Sequence, residues 1–188
     1  RLQLKNSENI SFNYQMQTDF TDVNRLAEGV VFNNYNSLST GNRMLENALS
    51  HNLNLSYFSF NLFNYTNIFA FLNYNKRVDP IRNRSQFLTI PGANPGDPDV
   101  LSTNSVSSPF NSSFADETFM ANGRFERTFG KLKASVGGNV SLSKFTQEIN
   151  GTKNVNESFT QSYRTRLSTN FRKAPNVEVG YNLTVNDY

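Results

Sequence analysis

Residues 157–173 read ESFTQSYRTRLSTNFRK, and their polarity changes at every step. Phe159, Tyr163, Leu167 and Phe171 share one parity with Gln161, Thr165 and Thr169. The other parity holds Thr160, Ser162, Arg164, Arg166, Ser168, Asn170 and Arg172, with no apolar residue. On a β-strand successive side chains point to opposite faces, so this pattern predicts a strand with one apolar and one polar face. Ala174-Pro175-Asn176 then reads as a turn, and Val177, Val179, Tyr181, Leu183 and Val185 alternate with polar residues beyond it. The two stretches predict a long hairpin.

The same alternation runs upstream. Ile10, Phe12, Tyr14, Met16 and Phe20 form one row, and Leu49, Leu53, Leu55 and Tyr57 another. Phe119, Ala121, Gly123, Phe125 and Phe129 lead through a Gly130-Lys131 turn to Leu132, Ala134, Val136, Val140 and Leu142. About seven strands are predicted, roughly at 8–20, 48–62, 66–78, 114–129, 132–147, 157–173 and 177–188. Near Phe58, Phe60 and Leu62 the apolar parity slips, which predicts a bulge or an aromatic cluster at a strand end.

Strand length and loop length then narrow the class. Several patterns persist for about 12 to 16 residues, where ordinary strands run nearer five or six. A tilted strand needs about 9 to 11 residues to cross a bilayer. Turns near 63–65, 130–131 and 174–176 are tight, 148–156 is intermediate, and the connections 21–46 and 79–113 are long. Short turns at one end and long loops at the other are the pattern of an outer-membrane barrel. The fold expected is therefore all-β, an antiparallel meander of about seven long strands forming part of a large transmembrane β-barrel. Within the long loops, 22–28 reads as one or two helical turns capped by Thr21 or Asp22 and stopped by Gly29. Residues 90–99 read as an irregular turn rich in Pro and Gly.

Composition agrees. Of 188 residues, 29 are Asn, 20 Ser and 14 Thr, whereas charged residues are 18% and hydrophobic ones 37%. That balance excludes an Ala/Leu/Glu/Lys-rich helical bundle. No apolar run approaches the roughly 20 residues of a transmembrane helix, which leaves a membrane barrel open. The absence of Cys removes disulfides, thiolate nucleophiles and thiolate metal sites. A single histidine, His51, precludes a histidine-rich zinc site and reads as a surface or lumen residue. The net charge of +3 is spread along the chain, so no nucleic-acid partner is expected. Arg1 at one end and Asp187-Tyr188 inside a strand pattern at the other lead us to expect that both ends are cuts in a longer chain.

Few residues invite a site. Arg124, Glu126, Lys133, Arg164, Arg166, Arg172 and Glu178 lie on the predicted polar faces. They suggest either a charged lumen wall that selects solutes or grips a plug, or an ordinary wetted interior with its charges neutralised across strands; the mixed signs favour the second. They should face inward, with Phe159, Leu167, Val179 and Leu183 facing lipid. Asp97 and Asp99 near Asn94 lack the spacing of a calcium loop and read as a solvated turn. Asp116 and Glu117 are adjacent and should point apart. The nine N-x-[ST] triplets follow from composition. No catalytic, cofactor-binding or metal-binding residue is assigned, no enzymatic activity or cofactor is expected, and no residue can be named for a solute.

Gly41-Asn42-Arg43-Met44-Leu45-Glu46-Asn47, followed by the strand at 48–62, resembles the GNP-x-L-x-PE segment that leads into a barrel strand in TonB-dependent receptors. Arg43 stands where that motif has proline. The stretches 21–42, 55–77 and 158–188 are similar to the barrels of the Bacteroidota branch of that group. The resemblance implies a parent barrel of roughly 22 strands with an N-terminal plug, in the bacterial outer membrane. It implies import of a large or scarce solute driven from the inner membrane, with this chain as about a third of the wall. Expected partners are the lipid bilayer, the rest of the barrel with its plug, and TonB or envelope-complex subunits. An odd strand number supports the fragment independently, because single-chain bacterial barrels have even counts. Two alternatives carry forward: a barrel of this family serving as a structural subunit of an envelope or secretion complex, and a secreted β-sandwich adhesin or sugar-binding module.

Overall fold

The computed structural model describes residues 2–5, 7–90, 100–149 and 151–187. It is all-β apart from one helical turn. In chain order the elements are β1 (Leu2–Lys5), β2 (Glu8–Asp19), α1 (Val23–Leu26), β3 (Val30–Asn34), β4 (Ser37–Thr40), β5 (Ala48–Asn61), β6 (Thr66–Val78), β7 (Ile81–Ile90), β8 (Val100–Asn111), β9 (Asp116–Phe129), β10 (Leu132–Ile149), β11 (Thr152–Thr169) and β12 (Glu178–Asp187). The seven long strands read from alternation are β2, β5, β6, β9, β10, β11 and β12.

These seven run antiparallel side by side in the order β2-β5-β6-β9-β10-β11-β12. Their hairpin turns show why the chain reverses where it does. Gly130 adopts φ +62° between β9 and β10, and Gly151 adopts φ +76° between β10 and β11. Glycine takes such left-handed angles without the Cβ clash that penalises other residues. Between β5 and β6 the left-handed residue is Tyr65, φ 49°, and the Asn61 side chain accepts from Phe63 N at 2.9 Å.

Several expectations are corrected here. The sheet is mixed and has twelve strands, and it is open, with β1 and β12 each paired on one side only. The segments 21–46 and 79–113 are not plain loops, since they carry β3, β4, β7 and β8. The stretch 148–156 is likewise no loop, because β10 and β11 stay paired up to Ile149 and Thr152. No bulge interrupts Phe58 to Leu62: β5 keeps continuous register with both β2 and β6. The parity slip there is an aromatic cluster at the turn, with Phe58, Leu62 and Phe63 all exposed. Helix α1 is capped by Asp22, which accepts from Asn24 N at 2.9 Å, and it ends at Ala27, two residues before Gly29. β11 stops at Thr169 rather than 173, because the Asn176 side chain accepts from Phe171 N at 2.6 Å and builds a wider turn over 170–177.

The extra strands create a fork. Along residues 132–144, β10 pairs with β9. Beyond that point β9 has not yet begun, and β7 takes its place, pairing in parallel with Glu148 and Ile149. β8 pairs antiparallel with β7, and β4 pairs in parallel with β8, so the elaborated end carries the side branch β7-β8-β4-β3. Ion pairs hold the fork: Arg84 Nε lies 2.6 Å from Glu148 Oε1, and Arg82 pairs with Asp116. Arg84 also stacks on Phe110 and Arg82 on Phe145, at 4.8 and 5.6 Å from the ring centroids. Close by, Arg77 Nε meets Asp19 at 3.0 Å, and Ser50 Oγ donates to the same carboxylate at 2.8 Å.

Asn111 ties three segments at the base of the branch. Its amide Nδ2 donates to Glu46 O at 2.9 Å and to Asp79 O at 3.0 Å, and its Oδ1 accepts from Glu46 N at 2.8 Å. Gly41 is demanded by packing, because a Cβ there would sit 2.2 Å from Ala27 O. Its neighbour Asn42 accepts from Met44 N and donates to Pro109 O at 3.1 Å. The Gly41–Asn47 segment therefore clamps one long connection onto the other.

Almost no packing exists outside the fork. The buried residues among those described are Ala48, Ser50, Pro80, Pro109, Ser112, Ser135, Thr146 and Glu148, and all but Ser135 sit at the fork. Every substantial contact between elements is between hydrogen-bonded neighbours, so the sheet is one layer with both faces open. The chain presents 13409 Å² of accessible surface, against roughly 9,000 Å² for a compact monomer of its mass.

Replacing Asn111 by Ala removes three hydrogen bonds, each contributing about 1 kcal/mol. Amide exchange in 44–47, 79–87 and 105–111 is expected to accelerate roughly tenfold or more, while 119–142 keeps its protection. Uniform loosening of the whole sheet would show that the branch is not held at this point.

Candidate functional site

The register places every long-strand residue on one of two faces. The first is apolar and reads across the strands in rows. One row runs Phe12, Leu55, Leu72, Ala121, Val140, Gln161 and Val185. The next runs Tyr14, Leu53, Tyr74, Phe119, Leu142 and Phe159. Phe159, Leu167, Val179 and Leu183 all belong to this face.

Charge bounds the apolar face towards the fork, and a single arginine interrupts it towards the tight turns. Towards the fork, its next row is Met16, His51, Lys76, Glu117, Lys144 and Glu157. Lys76 Nζ lies 3.1 Å from Glu117, and Lys144 pairs with Glu157. His51 accepts or donates at Nδ1 to Tyr14 Oη at 2.8 Å, so the lone histidine belongs to this border row. Towards the tight turns, Arg127 stands on the same face and stacks over Phe129, 4.9 Å from the ring centroid. On β9 only Phe119, Ala121, Gly123 and Phe125 lie between Glu117 and Arg127 on this side. Tyr14, Tyr74, Phe119 and Phe159 stand directly beneath the charged row, on four of its six strands.

The second face is polar and carries most of the asparagine. Asn73 Nδ2 donates to Asn54 Oδ1 at 2.7 Å, and Asn75 donates to Asn52. Ser162 and Thr184 hydroxyls meet at 3.3 Å. Cross-strand amide and hydroxyl pairs of this kind satisfy a wet face without ions, which accounts for an Asn-rich chain with few charges.

Six of the seven charged residues read from sequence come together on this polar face. Glu126 Oε2 accepts from Arg124 at 2.7 Å, and Glu126 Oε1 lies 2.8 Å from Lys133 Nζ. Arg166 Nε is 3.2 Å from Glu178. Arg164 Nε donates to Asn182 Oδ1 at 2.8 Å. The seventh, Arg172, lies in the 170–177 turn, beside a hollow it lines with Lys131, Phe171 and Lys173. Asp116 and Glu117 point to opposite faces, as adjacent strand residues must, and each is paired with a cation. Asp97, Asp99 and Asn94 lie outside the described residues.

Glycines shape the centre of the charged cluster. Gly123 and Gly138 are register partners, as are Gly137 and Arg124, and Gly137 and Arg164. On the apolar side the Tyr163 ring covers Gly138, its Cδ1 3.6 Å from where a Cβ would be. On the polar side Gly137 leaves a gap between two arginines. A groove of about 390 Å³ follows, lined by Arg124, Arg164 and Arg166 with Asn139, Asn182 and Thr184 among its other walls. The sequence pass recorded these charges but not the gap. Its signal was the Gly-Gly pair within a strand, which marks close backbone approach.

Comparison with protein-family models, with curated proteins and with solved structures gives no match.

Glu126 anchors two cations from a largely covered position. Replacing it with Gln is expected to lower stability by about 1 kcal/mol, a modest figure because both cations are half exposed. Urea unfolding of the detergent-solubilised protein reads this as a lower midpoint. Adding Lys133→Gln should cost less than its effect in the parent, and strictly additive losses would show that the pair is not coupled.

Proposed function

We propose that this chain is part of the wall of an outer-membrane β-barrel, with its apolar face towards lipid and its polar face towards a water-filled lumen. We further propose that the barrel is a TonB-dependent transporter importing a solute. The observation that carries the membrane reading is the uncovered apolar face, bordered on the fork side by a charged row.

Its dimensions support the reading. The ten steps from Glu117 to Arg127 cover about 33 Å at ~3.3 Å per residue. With a strand tilt of ~40°, that is a band of about 25 Å, the height of the lipid-facing belt of outer-membrane barrels. Seven strands at ~4.8 Å spacing make a patch on the order of 900 Å², above the roughly 300–600 Å² of the largest patches on soluble monomers. The aromatic row beneath the charged border has the placement of an interfacial girdle. Tight turns at one end and a folded branch at the other match short periplasmic turns and long external loops. A sandwich would set a second sheet on the apolar face, and the described residues provide none. The transporter assignment rests on the sequence resemblance, and the Gly41–Asn47 clamp gives that segment a structural role.

The chain has no Cys, so single-cysteine spin labels along 159–168 can be read in the full-length protein in outer-membrane vesicles. Positions 159, 161, 163, 165 and 167 should be relaxed by oxygen, and the alternate positions by a water-soluble nickel chelate. Relaxation of both sets by the chelate would refute insertion. A second test uses one pair of neighbours. Ala121→Arg on the apolar face should destabilise by about 2–4 kcal/mol in bilayers, and Asn122→Arg, one step along on the polar face, should cost well under half of that.

A further inference from the structure

The polar face is not uniformly polar. Across its middle rows it is neutral: Asn13, Asn54 and Asn73 share a row with Ser141, Thr160 and Asn186. Charge lies at both ends of this face: towards the fork Asp19, Arg77 and Asp116 are held in ion pairs, and towards the tight turns Arg124, Lys133, Arg164 and Arg166 face two carboxylates, Glu126 and Glu178. The local excess is therefore positive by two, four cations less two anions.

Within this cluster Arg164 stands apart. Arg124 and Lys133 share Glu126, and Arg166 takes Glu178. Arg164 instead holds a neutral amide oxygen, Asn182 Oδ1. Its in-register neighbour on β10 is Gly137, and the next residue across is Arg124. Two guanidinium-bearing strands thus sit about 10 Å apart across a position with no side chain. A side chain at 137 would fill that space, beginning with a Cβ 3.8 Å from Arg124 Cβ. The groove so formed is bordered by Asn139, Ser162 and Thr184, groups that exchange hydrogen bonds with hydroxyls.

We propose that this groove is a binding site for an oxyanion group, carboxylate or phosphate, borne by a polyhydroxylated solute. Arg164 supplies the primary charge-assisted contact and Arg124 the second, with the guanidinium fork matching the planar or tetrahedral oxygens. The amide and hydroxyl groups beside them take the solute's own hydroxyls. This rests on the transporter reading, whose unidentified solute it assigns to a chemical class.

The test is calorimetric titration of the full-length protein in detergent at about 50 mM salt, where screening is mild. The probes are trigalacturonate, glucose 6-phosphate and neutral maltotriose. Trigalacturonate, glucose 6-phosphate or both should bind, and maltotriose should bind at least tenfold more weakly. Arg164→Gln, which strands no carboxylate, should weaken anion binding roughly tenfold or more, the scale of one charge-assisted hydrogen bond. Arg172→Gln, outside the groove, should leave it unchanged. Binding by only one probe identifies the headgroup as carboxylate or phosphate, and either result supports the site. No anion binding, equal binding of maltotriose, or indifference to Arg164→Gln would overturn it. So would Arg164→Gln that lowers stability but not affinity, because the arginine would then be serving another segment of the chain, such as a plug. The alternating spin-label pattern of 159–168, measured on the same preparation, separates the two readings. If the pattern holds and binding fails, only the anion site falls, and loss of both removes the membrane reading with it.

Discussion

A single layer of sheet cannot bury itself. Two faces of a strand point opposite ways, so a chain that folds into one sheet must leave both faces to whatever surrounds it. Here one face is dominated by Phe, Leu, Val and Tyr across seven strands, and the other by Asn, Ser, Thr and paired ions with Phe58, Phe60, Phe69, Phe71 and Met120 set among them. Such a sheet is stable only between two different solvents or against partners that imitate them. The rest of the structure is arranged around that division, with a charged row at the fork border of the apolar face and amide ladders on the polar side. The sparse burial is thus no defect of packing. Its cohesion is hydrogen bonding along the strands, which strengthens wherever water is excluded.

The fork is the exception, and it marks where the single-layer rule lapses. Past Lys144, β10 and β11 extend beyond the reach of β9. An exposed strand edge would result, with unpaired backbone groups available to any passing chain. β7 covers that edge in parallel register, and the cationic side chains Arg82 and Arg84 lock it to Asp116 and Glu148. Because these pairs are partly covered and stacked on Phe145 and Phe110, they hold better than exposed ion pairs do. The connections on this end therefore form a four-stranded branch of the same sheet rather than free loops.

Much of this was legible in the sequence, and the limits have physical causes. Alternation located all seven long strands to within a few residues because one face of each is consistently apolar. β7 and β8 escaped for the same reason in reverse. IRNRSQFLTI and the Ser-rich VLSTNSVSSPFN show no consistent apolar parity in sequence, and what fixes them is pairing with β10 and β4, a tertiary fact with no local signature. Pro109 lies within β8 at the base of the branch, where Asn42 donates to its carbonyl. The charged residues were found by type and face, and six of seven share one surface. Arg172 fell outside because Asn176 ends β11 early. The groove itself was invisible to pattern reading, since it is an absence, a glycine standing opposite two arginines on different strands.

That absence has a consequence for how the wall divides its labour. At Gly138 the missing side chain is covered by Tyr163, so the apolar face is kept continuous despite a thin strand. At Gly137, one residue on, nothing from the described chain fills the space on the polar face. A Cβ at Gly137 would also meet Gly123 O at 3.1 Å, so close strand approach favours glycine there as well. Sealing the apolar side while leaving the polar side open, beside a guanidinium that holds only an amide, separates the two duties of one strand. The apolar surface is kept smooth there, and the polar one is left open beside Arg164.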